Sequence, residues 1–130
     1  MRRVYIDGIF DLFHRGHLES LKQAKSIEDN TFLIVGVISD EVATDYKRVP
    51  IIRHEDRVEI IKNLSIVDEV IEKAPLVITK EFVETNNIDL VVHGFSNDED
   101  WEKQKSFFEF LNENNKFQKI NYYDKISTTD

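Results

Sequence analysis

The sequence of 130 residues contains no cysteine. Disulfides, thiol nucleophiles and cysteine-ligated zinc or iron–sulfur centres are therefore excluded. Only two prolines and four glycines occur. No Pro- or Gly-rich linker interrupts the chain, and no internal repeat is visible. The longest apolar run, Phe32–Ile38, has seven residues, whereas a membrane-spanning helix needs about 20. Positive charge is in deficit, with 17 Lys+Arg against 25 Asp+Glu and a net charge of −8. That balance argues against a general nucleic-acid binder, which is normally basic. It leaves a small anionic ligand open, because such binding depends on local charge. Met1-Arg2-Arg3-Val4 leads straight into a strand pattern rather than a signal peptide, which sets the expectation of a cytoplasmic protein. What is present, 41% hydrophobic and 32% charged residues, fits one globular domain over residues 1–130.

Apolar runs alternate with helical patterns. Val4–Asp7 reads as a buried strand stopping at Gly8, and Phe32–Ile38 as a strand covered on both faces. Shorter runs follow at Val67–Ile71, Leu90–Val92 and, more weakly, Lys119–Tyr122. Between them, Leu18, Leu21, Ala24 and Ile27 mark one face of a helix from about Gly16 to Ile27. Val58, Ile61 and Leu64 mark another over 54–63, Thr79 caps a short helix containing Phe82 and Val83, and the aromatic-rich stretch from about Glu99 to Glu113 reads as one helix. This alternation predicts an α/β fold, a Rossmann-like doubly wound parallel sheet flanked by helices. Ligands of such sheets bind at the carboxyl ends of the strands, near the switch point, and Gly8 and Gly94 each lie just beyond such an end.

The turn after the first strand, Asp7-Gly8-Ile9-Phe10-Asp11-Leu12-Phe13-His14-Arg15-Gly16-His17, carries the chemistry. No glycine-rich phosphate loop of either common type is present. Instead the spacing puts His14 in the turn and His17 in the first helical turn, with Gly16 keeping the backbone open between them. Both imidazoles then face the helix N-terminus, where backbone N–H groups and the dipole favour an anion. Asp11, His14 and His17 at i, i+3 and i+6 would also suit a metal, although divalent-metal sites usually recruit a further distant ligand.

The segment resembles the H-x-G-H signature of the nucleotidyltransferases. More narrowly, Tyr5–His17 is similar to the choline-phosphate and ethanolamine-phosphate cytidylyltransferases. The similarity continues through Asn30–Val37, Ser39-Asp40-Glu41, Lys47, Glu55-Asp56-Arg57, Val67–Val70, Ala74-Pro75, Thr79–Phe82, Ile88-Asp89 and Val92-His93-Gly94, and closes with Ile126-Ser127-Thr128-Thr129-Asp130. The stretch 95–123 is the least similar. The resemblance implies transfer of CMP from CTP to a small phosphorylated alcohol with release of pyrophosphate, Mg²⁺ bound with the CTP phosphates, and a homodimer. It implies that His14, His17 and Lys47 act in catalysis. It further implies that Gly8, Ile9, Phe10, Asp11, Gly16, Arg57, His93, Gly94, Lys125, Ile126, Ser127, Thr128 and Thr129 surround the nucleotide. Within that set Asp11 is expected to orient the turn, with a purely structural helix-entry cap an equal reading, and for Arg57 a structural salt bridge is the alternative.

Two departures bear on this. The family's second signature opens on an arginine and carries a glycine before Ile-Ser-Thr, whereas these positions are Tyr122 and Lys125 here. A lysine can restore charge but not the bidentate geometry of a guanidinium. A catalytically weak nucleotide-binding protein is the corresponding alternative, and ATP in place of CTP another. Leu76 stands where choline enzymes carry tryptophan, and His93-Gly94 looks more like the ethanolamine enzymes. Asp100-Trp101-Glu102 is similar to glycerol-phosphate cytidylyltransferases. The expected acceptor is phosphoethanolamine or phosphocholine, with glycerol 3-phosphate as the alternative.

Overall fold

A computed structural model describes residues 1–46, 48–95 and 98–121. Five strands form one parallel sheet in the order β3-β2-β1-β4-β5. They are β1 (Arg2–Gly8), β2 (Thr31–Ile38), β3 (Glu69–Ala74), β4 (Leu90–Gly94) and β5 (Phe117–Ile120). The helices between them are α1 (Arg15–Lys25), α2 (Asp40–Tyr46), α3 (His54–Lys62), α4 (Lys80–Thr85), α5 (Asp98–Gln104) and α6 (Glu109–Glu113), with a 3₁₀ turn over Lys105–Phe108. The chain winds outward from β1 to β2 and β3, then returns to place β4 on the other side of β1. The switch point therefore lies between β1 and β4, as the doubly wound reading requires.

Alternation along the central strands divides the interior into two layers. Val4, Ile6, Leu33 and Val35 face α1 and α3, where Leu21, Ala24, Val58 and Ile61 cover them. Tyr5, Ile34 and Val91 face the opposite way, against Ile78, Val83, Phe108 and Leu111. Both faces of β1 and β2 are thus buried, which is why these strands read as continuous apolar runs. Gly36 has a specific packing reason. Tyr5 on the neighbouring strand lays its ring across it, and a Cβ at Gly36 would stand 2.0 Å from the tyrosine oxygen and 2.8 Å from the Ala74 Cβ.

Several boundaries differ from expectation. The third strand begins at Glu69 rather than Val67, because Val67 closes a turn onto Leu64 and Asp68 bonds the Leu33 carbonyl. The fifth begins at Phe117, set by its pairing with Val91. The single helix expected from Glu99 to Glu113 is broken by the 3₁₀ turn, which brings the Phe107 carbonyl to the Ile78 amide at 3.0 Å. Among the described residues no helix is long and apolar enough to cross a membrane.

Candidate functional site

The β1–α1 turn is held in an unusual backbone path. Phe10 and Leu12 have φ of 55° and 50°, a region that costs non-glycine residues energy. Burial of the Phe10 ring holds this path. The ring lies over Gly8, where a Cβ would approach it to 2.9 Å, and its centroid is 5.6 Å from that of His17. The space above Gly8 is therefore filled by the turn's own phenylalanine.

His14 is the N-cap of α1, and its Nδ1 accepts from the Gly16 amide at 2.9 Å. His17, three residues on, accepts the His14 amide at its own Nδ1, 3.3 Å away. The two histidines thus form a reciprocal capping box. Their rings stack with centroids 4.2 Å apart. Because each Nδ1 accepts a backbone N–H, each neutral ring carries its proton on Nε2. The bonding therefore prepares two parallel Nε2–H donors at the positive end of a helix with no acidic residue in its first turn. Burial, and then the neighbouring His14, depress the His17 pKa to about 4, with Asp11 opposing. This imidazole is accordingly neutral at physiological pH. Two expectations change in detail: the amides of His14 and Gly16 are taken by the histidines themselves, and Gly16 is buried rather than open.

Asp11 is not the helix cap. Its carboxylate accepts the amides of Ile51 and Ile52 at 2.9 and 2.8 Å, fastening the segment before α3 to the turn. Burial alone would raise its pKa; these two bonds and the nearby Arg48 and Arg57 bring it below the usual carboxylate value.

Arg57 is fully buried. Its Nε donates to the Ile52 carbonyl at 2.9 Å, and its Nη1 to the carbonyls of Ile9 and Ile38 at 2.6 and 2.8 Å. Its Nη2 pairs with Asp40. The arginine is therefore a brace among protein groups and is not turned towards a ligand. Ile9, expected to offer backbone to a nucleotide, has given its carbonyl to this brace. Asp40 also accepts the His54 amide at 3.1 Å, supplying the cap that Arg53 does not provide for α3. Burial works against ionisation of Asp40, but these partners hold its pKa below the ordinary value.

On the other side of β1, Asp7 is buried at the strand's carboxyl end. Its Oδ1 lies 3.3 Å from His93 Nδ1 on β4, out of line for a hydrogen bond, and that nitrogen and the Tyr5 hydroxyl have no hydrogen-bond partner among the described residues. Phe95 and Phe108 enclose the His93 ring, with centroids 4.8 and 5.1 Å away. Gly94 follows directly, and a Cβ there would meet Ile120 and Asn121 at ordinary contact distances. A charged residue between Ile6 and Gly8 in a buried strand is a sequence signal for Asp7, which the sequence reading gave no role. Asp40 was visible only as part of the Ser39-Asp40-Glu41 similarity.

The structure therefore brings His14, His17, Asp11, Arg57 and His93 to the carboxyl edge of the sheet, with Asp11 and Arg57 committed to bracing it. Lys47, Lys125, Ile126, Ser127, Thr128 and Thr129 lie outside the described residues. Among the described residues no three His, Asp or Glu side chains converge in a way that would hold a metal ion.

Comparison with known proteins agrees with this fold. The model of the cytidylyltransferase-like family matches residues 5–130. Human choline-phosphate cytidylyltransferase A is 46% identical over 91 residues, covering 70% of this chain and 25% of that protein. Choline-phosphate cytidylyltransferase 2 of Arabidopsis thaliana is 39% identical over 137 residues, covering 98% and 42%. The ethanolamine-phosphate cytidylyltransferase of Dictyostelium discoideum is 36% identical over 131 residues, covering 98% and 35%. The chain thus spans a quarter to two fifths of the length of these relatives. A solved structure described as a lipopolysaccharide core biosynthesis protein from Thermoplasma volcanium superposes with a TM-score of 0.75, at 28% identity over 95% of this chain and 99% of that one. Its parallel sheet, a family match over nearly its whole length and relatives at 36–46% identity make this chain a member of the cytidylyltransferase-like family.

Proposed function

We propose that this chain transfers CMP from CTP to the phosphate of a small amino alcohol, giving a CDP-alcohol for phospholipid synthesis and releasing pyrophosphate. One observation carries the reading: two stacked imidazoles at the N-terminus of α1, each with its Nδ1 taken by a backbone amide so that Nε2 is left to carry a proton. An oxygen of the acceptor phosphomonoester attacks the α-phosphorus of CTP. The bond from that phosphorus to the oxygen bridging it to the β-phosphate breaks, and pyrophosphate leaves. The acceptor's second pKa is about 6, so it is largely ionised at neutral pH and needs no general base. The protein's task is to hold two polyanions together and to meet charge developing on the phosphate oxygens. Fixed N–H donors in a water-poor site do this without reorganisation. In this proposal His14 and His17 fill that role, with Lys47 and the Ser127-Thr128-Thr129 segment as further phosphate contacts. Mg²⁺ enters as part of the metal–nucleotide substrate. The ion usually takes its ligands from phosphates and water.

The acceptor class rests on Asp7. A buried carboxylate at this edge complements an ammonium, a charge that the two free hydroxyls of glycerol 3-phosphate do not supply. The relatives above are named for choline and ethanolamine phosphates, which supports the same class. With Leu76 in place of a tryptophan, the proposal leans towards the primary ammonium of phosphoethanolamine, because a quaternary ammonium gains more from aromatic faces. A homodimer belongs to the proposal through the family resemblance, and a monomer mass in light scattering would remove it.

The test is a pyrophosphate-release screen of CTP against ATP, each with phosphoethanolamine, phosphocholine and glycerol 3-phosphate. The expected result is turnover with CTP and an amino-alcohol phosphate. Turnover only with ATP, turnover only with glycerol phosphate, or no turnover at all would overturn it.

A further inference from the structure

The Ile52 peptide is gripped from both sides. Asp11 accepts its N–H at 2.8 Å, and Arg57 Nε donates to its carbonyl at 2.9 Å. The preceding Ile51 amide also goes to Asp11, at 2.9 Å. The side chain of Ile51 is exposed, as is that of Val49, so apolar burial does not hold this stretch down. The same guanidinium bonds the carbonyl of Ile9, at the start of the turn that carries His14, and that of Ile38 at the end of β2. Its remaining partner, Asp40, fixes the start of α3 through the His54 amide. Three loops at the carboxyl edge are thus tied to one buried cation, and Asp11 closes the tie from the histidine turn itself.

We propose that Asp11 and Arg57 form a two-sided clamp on the Ile51–Ile52 peptides, positioning residues that hold the basic segment 48–53 in register with the histidine turn. Neither side chain needs to touch substrate for this. Arg48 and Arg53 lie on the clamped segment, Arg53 paired with Glu55 and Asp56, and where the segment is fastened sets how it stands to the histidine turn. A charged acceptor with two backbone N–H donors is a strong anchor, and an amide in its place accepts only one of them while turning its own NH₂ towards the other. The catalytic consequence rests on the cytidylyl-transfer reading, whereas the clamp itself does not.

The experiment is amide hydrogen exchange on the full chain, residue by residue, comparing wild type with Asp11→Asn, alongside steady-state pyrophosphate release. The proposal expects Ile51 and Ile52 to lose protection by about tenfold or more while Val4–Ile6 and Leu33–Val35 keep theirs. It expects kcat to fall by a similar factor, with KM for the acceptor within about threefold. Unchanged protection at Ile51 and Ile52 would overturn the clamp. A raised KM for CTP with that protection intact would make Asp11 a nucleotide contact instead. A uniform loss of protection across the sheet would mark a general structural role and also refute the proposal. Lost protection at Ile51 and Ile52 with kcat unchanged would refute positioning. Asp11→Ala, which removes both acceptors, should exceed Asp11→Asn in local exchange, and the reverse order would contradict the two-bond geometry. If the wild type turns over nothing in the screen, the functional reading fails, while the exchange data still judge the clamp.

Discussion

His17 is set apart by three features: a ring packed between Phe10, Phe13 and His14, a backbone N–H donated to its Nδ1, and a pKa pulled down to about 4 by burial and by His14. Its folded pKa lies below the ordinary value of about 6.5. The unfolded chain therefore binds the proton first as the pH drops. The stability contributed by keeping this ring neutral is complete above about pH 6.5 and is lost as the pH falls from there towards 4. A bound triphosphate would favour the imidazolium and raise the midpoint. An NMR titration of the His17 ring should give a midpoint near 4 without nucleotide and a higher one with CTP. A midpoint near 6.5 in the free protein, or no movement on adding CTP, would contradict the buried-donor picture. At the same scale, Gly36→Ala drives a methyl into the Tyr5 ring. Overpacking of this kind costs about 1–3 kcal/mol, and no flexible side-chain end is there to yield. A urea-unfolding midpoint equal to wild type would show that the ring can move aside.

At the scale of elements, α1 has to serve two ends with one residue. His14 caps the helix and, on the proposal, faces phosphate. The two roles separate on substitution. His14→Ala should lose about 1 kcal/mol of stability along with activity, while His14→Asn keeps a capping oxygen and should restore most of that stability without restoring activity. Equal thermal midpoints for the two variants would argue that the histidine cap contributes nothing to the fold. Much of the element pattern was legible in the sequence because its causes are local. Thr79 accepts the Phe82 amide at 3.1 Å as an N-cap should, and the apolar residues of β1 and β2 read as a two-sided core. The break at the 3₁₀ turn was not legible, because Phe107, Phe108, Phe110 and Leu111 suit a continuous helix and only packing against the segment before α4 decides otherwise. For Arg57 the sequence left a nucleotide contact and a structural salt bridge open, and the pair with Asp40 matches the second. Its burial and the three-dimensional convergence of the Ile9, Ile38 and Ile52 carbonyls on it were not visible. Asp11 reads as a cap from its position before a helix, and its partners lie some 40 residues away.

For the whole molecule, the net charge of −8 and the candidate anion site are reconciled by distribution. All six arginines lie at or before Arg57, on the half of the chain that builds the turn and the clamped segment. Residues 61–130 hold eight Lys+Arg against 14 Asp+Glu. Arg2 and Arg3 stand at the amino end of β1, paired with Glu28 and Glu69, whereas Arg48, Arg53 and Arg57 lie on the stretch fastened to the histidine turn at the carboxyl edge, so the arginines near the candidate site come from one short segment of an acidic chain. The site's two histidines were legible because a short motif with a fixed spacing carries them. The residues that brace them were not, because their partners are set by the topology of the sheet.

The most direct measurement is pyrophosphate release from CTP with phosphoethanolamine, comparing wild type with His14→Asn after confirming that both are folded. The account predicts release by the wild type and a loss of about 100-fold or more in the variant, the scale expected when a fixed transition-state donor is removed. Equal rates for the two proteins, or no release by the folded wild type with any phosphorylated amino alcohol, would contradict it.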